Sequence, residues 1–419
     1  MADDKAIVLP RPDEYQRWSK HQLIKRVLEL EGRLPKEQLD PTNNKEAFGH
    51  SDVTKPQKLF DFSKYNTRFI ALKFSYLGWN YNGLAIQTMK TPLPTVESVI
   101  IESLYKTRLI PSLDPKDFNF SRCGRTDKGV SALNQVISLN VRSSLTVEEQ
   151  MNAANDKREI DYLHILNHSL PNDILVKSVS LRPPKNFDAR FSCKHRHYRY
   201  IFYKSDLDID LMNIAAKKYE GEHDFRNFCK VDGSKQITSF SRRIISSNIV
   251  SLDDEFYYFD LKGTAFLWHQ VRCMIAILLL IGQKLEHPRI IDDLMDIEKY
   301  PSKPVYEMAY DIPLVLYDCV FEDIEWEDQK DPFKICKFAD IVQNLWLNHA
   351  LKYQIVNFVK KNITDDISPS TLLRRDTTKI NVGDGRGKFI KKYRQLSSRE
   401  FMDPVDVINE RYRKRKRLE

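Results

Sequence analysis

The segment SRCGRTDKGV, residues 121–130, is the most distinctive stretch of this sequence. It places cations, one carboxylate and two glycines ahead of residues 135–141, whose alternating pattern predicts a β-strand. The glycines permit a tight backbone path, which aims the side chains between them. Two arginines and a lysine surround Asp127, and we expect them to favour its ionised form. The residues alone leave two hypotheses open: a nucleophilic carboxylate, or a turn with a surface ion pair.

Strand-like and helix-like patterns alternate on both sides of this segment. The strand-like runs are residues 67–76, 135–141, 160–165, 175–179, 197–203, 244–250 and 255–262. Thr95 is a candidate helix N-cap, and residues 266–280 and 292–300 have helical patterns. Two similar halves of this kind predict an α+β fold with two mixed α/β lobes that flank a central cleft.

Prolines and charge divide the chain into four predicted domains. Residues 1–66 are an N-terminal helix, beginning after Ser19, and a linker. Residues 67–181 and 182–330 are the two lobes, and residues 331–419 are a basic C-terminal extension. We expect both terminal extensions to be helical.

The basic character of the chain is concentrated in that extension, which has 20 cations against 11 acidic residues. Six of the cations lie within residues 411–417. Such a run predicts a nuclear-import signal, a phosphate-binding arm or a disordered solvated tail. The GDGRGK sequence at 383–388 is typical of a flexible connector.

Composition and spacing argue against several classes of protein. The longest apolar run, residues 273–282, is well short of the roughly 18 residues that cross a bilayer, and the N-terminus lacks a secretory pattern. The six cysteines show no C-x-x-C spacing, so we expect neither a zinc site nor a disulfide framework. We therefore expect a soluble intracellular protein with buried thiols, no metal and no membrane span.

Residues 122–130, RCGRTDKGV, resemble the catalytic motif of the TruA family of tRNA pseudouridine synthases. Three further segments resemble motifs of this family in the family's order: LNHSLPNDI at 166–174, FDARFSC at 187–193 with HYRY at 197–200, and GTAFLWHQVRCM at 263–274. The resemblance extends over about residues 67–320. It implies the pseudouridine synthase fold, with sheets rich in antiparallel strands.

The resemblance also implies an isomerase that breaks the N1–C1′ bond of uridine, turns the base and joins C5 to C1′ without a cofactor. Asp127 matches the family's nucleophile, and the family places the arginine matching Arg272 against it. A buried cation needs a partner, so we expect Arg272 to pair with Asp127 unless its side chain reaches solvent. Tyr198 matches the tyrosine that contacts the base, although alternation puts Tyr200 on the same face. Arg125 matches an arginine that fills the vacated stack or holds a phosphate.

Two positions indicate a branch of the family. Ser131 follows the GV pair where many members have His, and Leu84 stands where many have Trp. Both choices resemble the eukaryotic branch that modifies tRNA positions 38 and 39, beside the anticodon. The resemblance thus implies binding of the tRNA anticodon stem-loop, a homodimer, and a location in the nucleus and cytoplasm.

Two other functions remain as alternatives. The first is a tRNA-binding folding factor whose modification activity is incidental or lost, although Asp127, Tyr198 and Arg272 are all present. The second is a glycosidase that acts on a free nucleoside, although the sequence shows no second well-placed acid. A tRNA uridine isomerase is the leading hypothesis.

Overall fold

A large mixed sheet forms the framework on which the helices pack. The computed structural model describes residues 60–87, 89, 91–364, 367 and 377–417. The described residues from Asp61 onward belong to one unit. The predicted helix after Ser19 and most of the predicted linker lie outside the described residues, and the predicted domain boundaries stay predictions.

Strands account for the predicted strand-like runs, except for residues 160–165. The strands of the described residues are β1 (Asn66–Tyr76), β2 (Ser121–Arg122), β3 (Ser131–Ser143), β4 (Ile174–Ser180), β5 (His195–Tyr203), β6 (Gly221–Asp224), β7 (Ser241–Ser251), β8 (Phe256–Gly263), β9 (Leu314–Val320), β10 (Glu327–Asp328), β11 (Thr378–Ile380) and β12 (Lys388–Ile390). The large sheet has the order β10-β4-β1-β3-β9-β5-β8-β7-β6, with β2 on β3. Only β3 and β9 pair in parallel among these described strands. The expected α+β class with antiparallel-rich sheets is confirmed, and β9 joins the strands of the two halves.

Eight α-helices lie within the described ranges. They are α1 (Val96–Lys106), α2 (Val147–Gln150), α3 (Tyr162–Ser169), α4 (Ile209–Lys217), α5 (Gln270–Gly282), α6 (Arg289–Met295), α7 (Pro332–Thr364) and α8 (Val405–Arg417). Short 3-10 helices in the described residues are Phe62–Lys64, Gly78–Asn80, Pro115–Phe118, Ala153–Arg158, Arg226–Phe228, Gly233–Lys235 and Leu396–Ser398. Thr95 caps α1 as predicted, because its side chain accepts from the N–H of Ser98 while the Ser98 hydroxyl accepts from the N–H of Thr95.

Helix α5 lies in the centre of the core, and all of its residues are buried. Its sequence QVRCMIAILLLIG is apolar around nearly the whole circumference, as expected for a helix that is covered on all sides. The helix begins at Gln270 rather than at the predicted 266, because His269 has a left-handed backbone with a φ of 61°. This late start places Arg272 in the first turn of the helix.

The predicted strand at 160–165 is wrong, since helix α3 begins within it. Asp161 caps this helix by accepting from the N–H of His164 at 3.0 Å. Tyr162, Leu163 and Leu166 are buried on one helical face. A short apolar run does not distinguish a strand from a buried helix by its periodicity, and here the cap decides.

The C-terminal extension is ordered where it is described. Residues 383–388 lie at and beside the turn of the β11–β12 hairpin, so they are not a flexible connector. Residues 411–417 belong to α8, which contradicts the disordered alternative for this stretch. Helix α8 packs on the Gly233–Lys235 turn, where Gln236 donates to the carbonyl of Asn409 at 3.2 Å.

Candidate active site

The loop before β3 carries Asp127 and is held closely by the segment after β1. The N–H of Leu84 donates to the carbonyl of Thr126 at 3.2 Å, and the hydroxyl groups of Tyr76 and Thr126 lie 2.6 Å apart. Gly83 has a φ of +84°, and a Cβ at this position would lie 2.8 Å from the Thr126 oxygen. The segment after β1 therefore needs glycine at position 83, because its backbone is left-handed there and it approaches the Asp127 loop closely.

Arg196 on β5 ties the same loop to the second half of the chain. Its Nη2 donates to the carbonyls of Cys123 at 2.8 Å and Arg190 at 3.0 Å, and its Nη1 donates to that of Thr264 at 2.8 Å. These carbonyls belong to three of the motif segments. One guanidinium can bridge them because its donors have a fixed, planar arrangement. The motif segments are thus parts of one assembly.

Arg122, five residues before Asp127, pairs with a different carboxylate. Its Nε contacts Glu97 of α1, which is fully buried and also accepts from the N–H of Ile86 at 2.9 Å. Burial raises the pKa of the Glu97 carboxyl, and Arg122 opposes that rise. The expectation that Arg122 helps to keep Asp127 ionised is therefore corrected.

Asp127 lies in a recess in which 26% of its side chain is exposed. Burial raises the pKa of its carboxyl above the ordinary value and is the largest influence on it. The guanidinium of Arg272, hydrogen bonding from the Trp268 side chain and the ammonium of Lys230 lower this pKa, whereas Asp311 adds to the rise. Because the lost hydration is only partly replaced, the carboxylate is more basic than a solvated one. Such a group suits nucleophilic or base chemistry.

The ring of His269 lies within ion-pair distance of Asp127, with 3.4 Å between its Nε2 and the aspartate Oδ2. Burial, with smaller contributions from the cations Arg272, Lys230 and Lys303, lowers the pKa of His269 to about 4. The ring is therefore neutral at neutral pH. Its Nδ1 is buried without a hydrogen-bond partner among the described residues, so a proton on Nδ1 would be buried unsatisfied. The neutral ring accordingly carries its hydrogen on Nε2, toward Asp127.

Arg272 is buried, which excludes the alternative that its side chain reaches solvent. Its Nε donates to the carbonyl of Ala309 at 2.8 Å, and its Nη2 lies 3.8 Å from Oδ2 of Asp311. Within the described residues, no ion pair of 4.0 Å or less joins Arg272 to Asp127, so the expected direct pairing is wrong. The arginine still acts on Asp127 at longer range, since it opposes the burial-driven rise in pKa.

Tyr198 and Tyr200 point to the same side of β5, as alternation predicts, and both are buried. The ring of Tyr198 meets Phe266 edge to face, with 5.0 Å between the ring centres. Burial raises the pKa of Tyr198, and the charge of Asp127 contributes to that rise. Tyr198 is therefore near Asp127, and it belongs to an aromatic pair of the kind that can receive a base.

Arg125 lies on the outer side of the loop and is exposed. Its guanidinium makes no hydrogen bond or ion pair with any of the described residues, but it is near enough to Glu97 to lower the pKa of that carboxyl. A free guanidinium on this surface can bind a phosphate or stack on a base.

The described residues offer neither a candidate metal site nor a membrane-spanning helix. These residues contain no group of three or more His, Cys, Asp or Glu side chains that could hold a metal ion, and no helix long and apolar enough to span a bilayer. The cysteines are free; five are buried, whereas Cys336 is exposed, contrary to the expectation of buried thiols throughout.

Comparison with known proteins shows which family the chain resembles. Residues 215–322 match the family described as tRNA pseudouridine synthase. The chain is 54% identical to the tRNA pseudouridine(38/39) synthase of Saccharomyces cerevisiae, over 98% of this chain and 94% of the relative. The human protein of the same name is 44% identical, over 79% and 72%. The tRNA pseudouridine synthase A of Archaeoglobus fulgidus is 33% identical, over 63% and 88%.

The chain belongs to the tRNA pseudouridine synthase family. Its fold is accordingly that of a pseudouridine synthase, and its activity class is isomerase. The roles assigned by resemblance to Asp127, Arg272, Tyr198 and Arg125 stay predictions. The structure brings Arg272 and Tyr198 near enough to Asp127 for their charges to influence one another, whereas Arg125 is exposed.

Sequence reasoning missed several residues of this candidate site. Trp268 and His269 lie within the quoted motif at 263–274, yet nothing in their spacing indicated that they reach Asp127. Asp311 and Arg196 carried no such signal: the first is far from every quoted motif, and the second is one of many cations. A search for carboxylates able to neutralise the buried Arg272 would have had Asp311 among its candidates.

Proposed function

We propose that this protein converts uridine to pseudouridine at positions 38 and 39 of the tRNA anticodon stem-loop, with Asp127 as the nucleophile and without a cofactor. The observation that carries the proposal is the partly desolvated carboxylate of Asp127, held in a loop that Arg196 fixes against the other motif segments. The two positions are those in the printed names of the yeast and human relatives.

The proposed reaction is an isomerisation in which atoms and charges balance within one nucleotide. The N1–C1′ bond breaks, the uracil turns, and a C5–C1′ bond forms. The hydrogen on C5 is then lost as a proton, and N1 gains a proton. Asp127 can assist by attacking C1′, which would stabilise an oxocarbenium-like centre, or by adding to the base ring. Both routes need an ionised carboxylate close to the nucleotide.

The target uridine must leave the helical stack to reach Asp127, which costs a few kcal/mol. Tyr198 and Phe266 offer aromatic surface beside the carboxylate to offset this cost. Arg125 is free on the outer side of the loop, where it can fill the vacated position in the stack or hold a phosphate. In this assignment Arg272 sets the electrostatic potential at Asp127 and does not itself touch the substrate.

We further propose a homodimer located in the nucleus and the cytoplasm. Support for self-association comes from α7, which has no buried residue along its length and exposes large apolar side chains, including Trp346 and Phe358. Light scattering of the purified protein tests the first proposal, and a monomer at micromolar concentration contradicts it. The cationic run at 411–417 supports the second, and cellular imaging of the tagged full chain tests it.

The decisive experiment maps pseudouridines by carbodiimide-stop sequencing in tRNA from cells that lack the protein and are complemented with variants. Asp127→Ala should restore no modification at positions 38 and 39, while tRNA binding persists. Asp254→Ala is the matched control, because Asp254 is an exposed aspartate in the β7–β8 turn. Modification by Asp127→Ala contradicts the role of Asp127.

The same variants separate the two alternative functions. Equal rescue of tRNA folding and of every growth defect by Asp127→Ala and wild type would favour a folding factor. Release of free uracil from a nucleoside by the wild-type protein would favour a glycosidase.

A further inference from the structure

The β11–β12 hairpin is attached firmly to the body of the protein next to the candidate active site. The side chain of Gln283, just after α5, donates to the carbonyl of Lys379 at 2.8 Å and accepts from the N–H of Asn381 at 2.8 Å. Ile380 is buried in the core, and the N–H of Tyr310 donates to the carbonyl of Val382 at 2.8 Å. The hairpin is thus held to the body of the protein by both hydrogen bonds and apolar packing.

The hairpin reaches the catalytic groups through Tyr200 and Asp311. Gly383 lies so close to the Tyr200 hydroxyl that a Cβ at position 383 would be 2.0 Å from it. In the Asp127 loop, a Cβ at Gly129, two residues after Asp127, would lie 2.9 Å from a carboxylate oxygen of Asp311. Tyr310, which holds the hairpin, directly precedes Asp311. The turn of the hairpin and the Asp127 loop therefore border the same small region.

The turn presents one guanidinium on a rigid backbone. The carboxylate of Asp384 accepts from the N–H groups of Arg386 at 3.0 Å and Gly387 at 2.7 Å, which fixes the turn. Gly383, Gly385 and Gly387 all have left-handed backbones, and a Cβ at Gly385 would meet no atom within 4 Å. Arg386 is exposed, and its guanidinium makes no ion pair or hydrogen bond within the described ranges.

We propose that this hairpin is part of the substrate site and that Arg386 binds a phosphate of the RNA strand beside the target uridine. The inference rests on the proposed function, since it assigns a further contact for the same RNA. A guanidinium presents parallel N–H donors that match a phosphate, and the hydrogen bonds from the backbone to Asp384 hold the residue that carries it. Such a contact positions the RNA and reads no base.

Direct binding of an anticodon stem-loop RNA tests the role of Arg386 independently of catalysis. Arg386→Gln should weaken binding about tenfold and lower the slope of log K against log salt by about one, as expected for one lost phosphate contact. Lys392→Gln removes an equal charge from an exposed position just beyond the hairpin and is the matched control. Arg386→Lys should keep the salt slope. Equal affinities and salt slopes for Arg386→Gln and Lys392→Gln would overturn the proposal.

A pair of glycine variants tests the place of the hairpin in the site. Gly383→Ala and Gly385→Ala impose similar left-handed strain, but only the first forces the hairpin away from Tyr200. Gly383→Ala should lower kcat/KM for tRNA at least tenfold, and Gly385→Ala should stay within twofold of wild type. Similar kinetics of the two variants would refute the hairpin's role. A wild-type protein that binds RNA through Arg386 but forms no pseudouridine would instead refute the proposed function alone.

Discussion

Replacing His269 with asparagine should remove a pH dependence of stability that the buried imidazole imposes. The folded-state pKa of His269 is about 4, against 6.5 for an ordinary histidine. The unfolded chain therefore binds the proton first, so the stabilising effect is complete above about pH 6.5 and is lost as the pH falls toward 4. At 1.36 kcal/mol per pH unit, the full loss is about 3 kcal/mol, of which about 2 kcal/mol is lost by pH 5.

Asparagine suits this test because it tolerates the left-handed backbone at position 269 and stays neutral throughout. Urea unfolding at pH 7.5 and pH 5.0 should show a free energy of unfolding that falls about 2 kcal/mol less in His269→Asn than in wild type. His168→Asn, which replaces an exposed histidine of α3, should keep the wild-type pH dependence. If His269→Asn and wild type lose equal stability between the two pH values, the neutral buried imidazole inferred here is refuted.

Two further predictions concern Asp127 and Arg196. Asp127→Asn should abolish pseudouridine formation yet raise the melting temperature at neutral pH. Burial raises the pKa of this carboxyl, so the fold favours a neutral group at position 127. An unchanged or lower melting temperature in scanning fluorimetry would contradict this prediction. Arg196→Lys should lower kcat at least tenfold and the free energy of unfolding by about 2 kcal/mol, since the single Nζ of lysine cannot take the places of both Nη1 and Nη2. Wild-type kinetics and an unchanged urea midpoint would show that the bridge is dispensable.

Local chemistry explains which parts of the fold the sequence could predict. The capping box of Thr95 and Ser98 depends on residues three positions apart, so the sequence alone predicts the start of α1. The strands β1, β3, β5, β7 and β8 are long and alternate or carry aromatic and β-branched residues, which gave a clear pattern. The run at 160–165 gave none, because its length fits a strand and a helix equally well.

Contacts between distant segments explain what the sequence could not supply. The carboxylate nearest Arg272 belongs to Asp311, and only the folded chain places the segment before β9 against the first turn of α5. The same holds for the hairpin at 378–390, whose glycine-rich sequence is compatible with a linker. Its place beside Tyr200 depends on Gln283, which lies almost a hundred residues earlier.

The pairing of Arg272 with Asp311 has a direct consequence for the reactivity of Asp127. Had Arg272 paired directly with Asp127, the guanidinium would have occupied the carboxylate oxygens and lowered their basicity. Instead Asp311 takes the closer position, so Arg272 lowers the pKa of Asp127 only from a distance while Asp311 raises it. The oxygens of Asp127 are thereby left with the neutral imidazole of His269 and the indole of Trp268 as their near neighbours. Arg272 thus favours the ionised form that attack on a ribose or base carbon needs, yet the carboxylate is not held by a directly paired cation that it would have to leave.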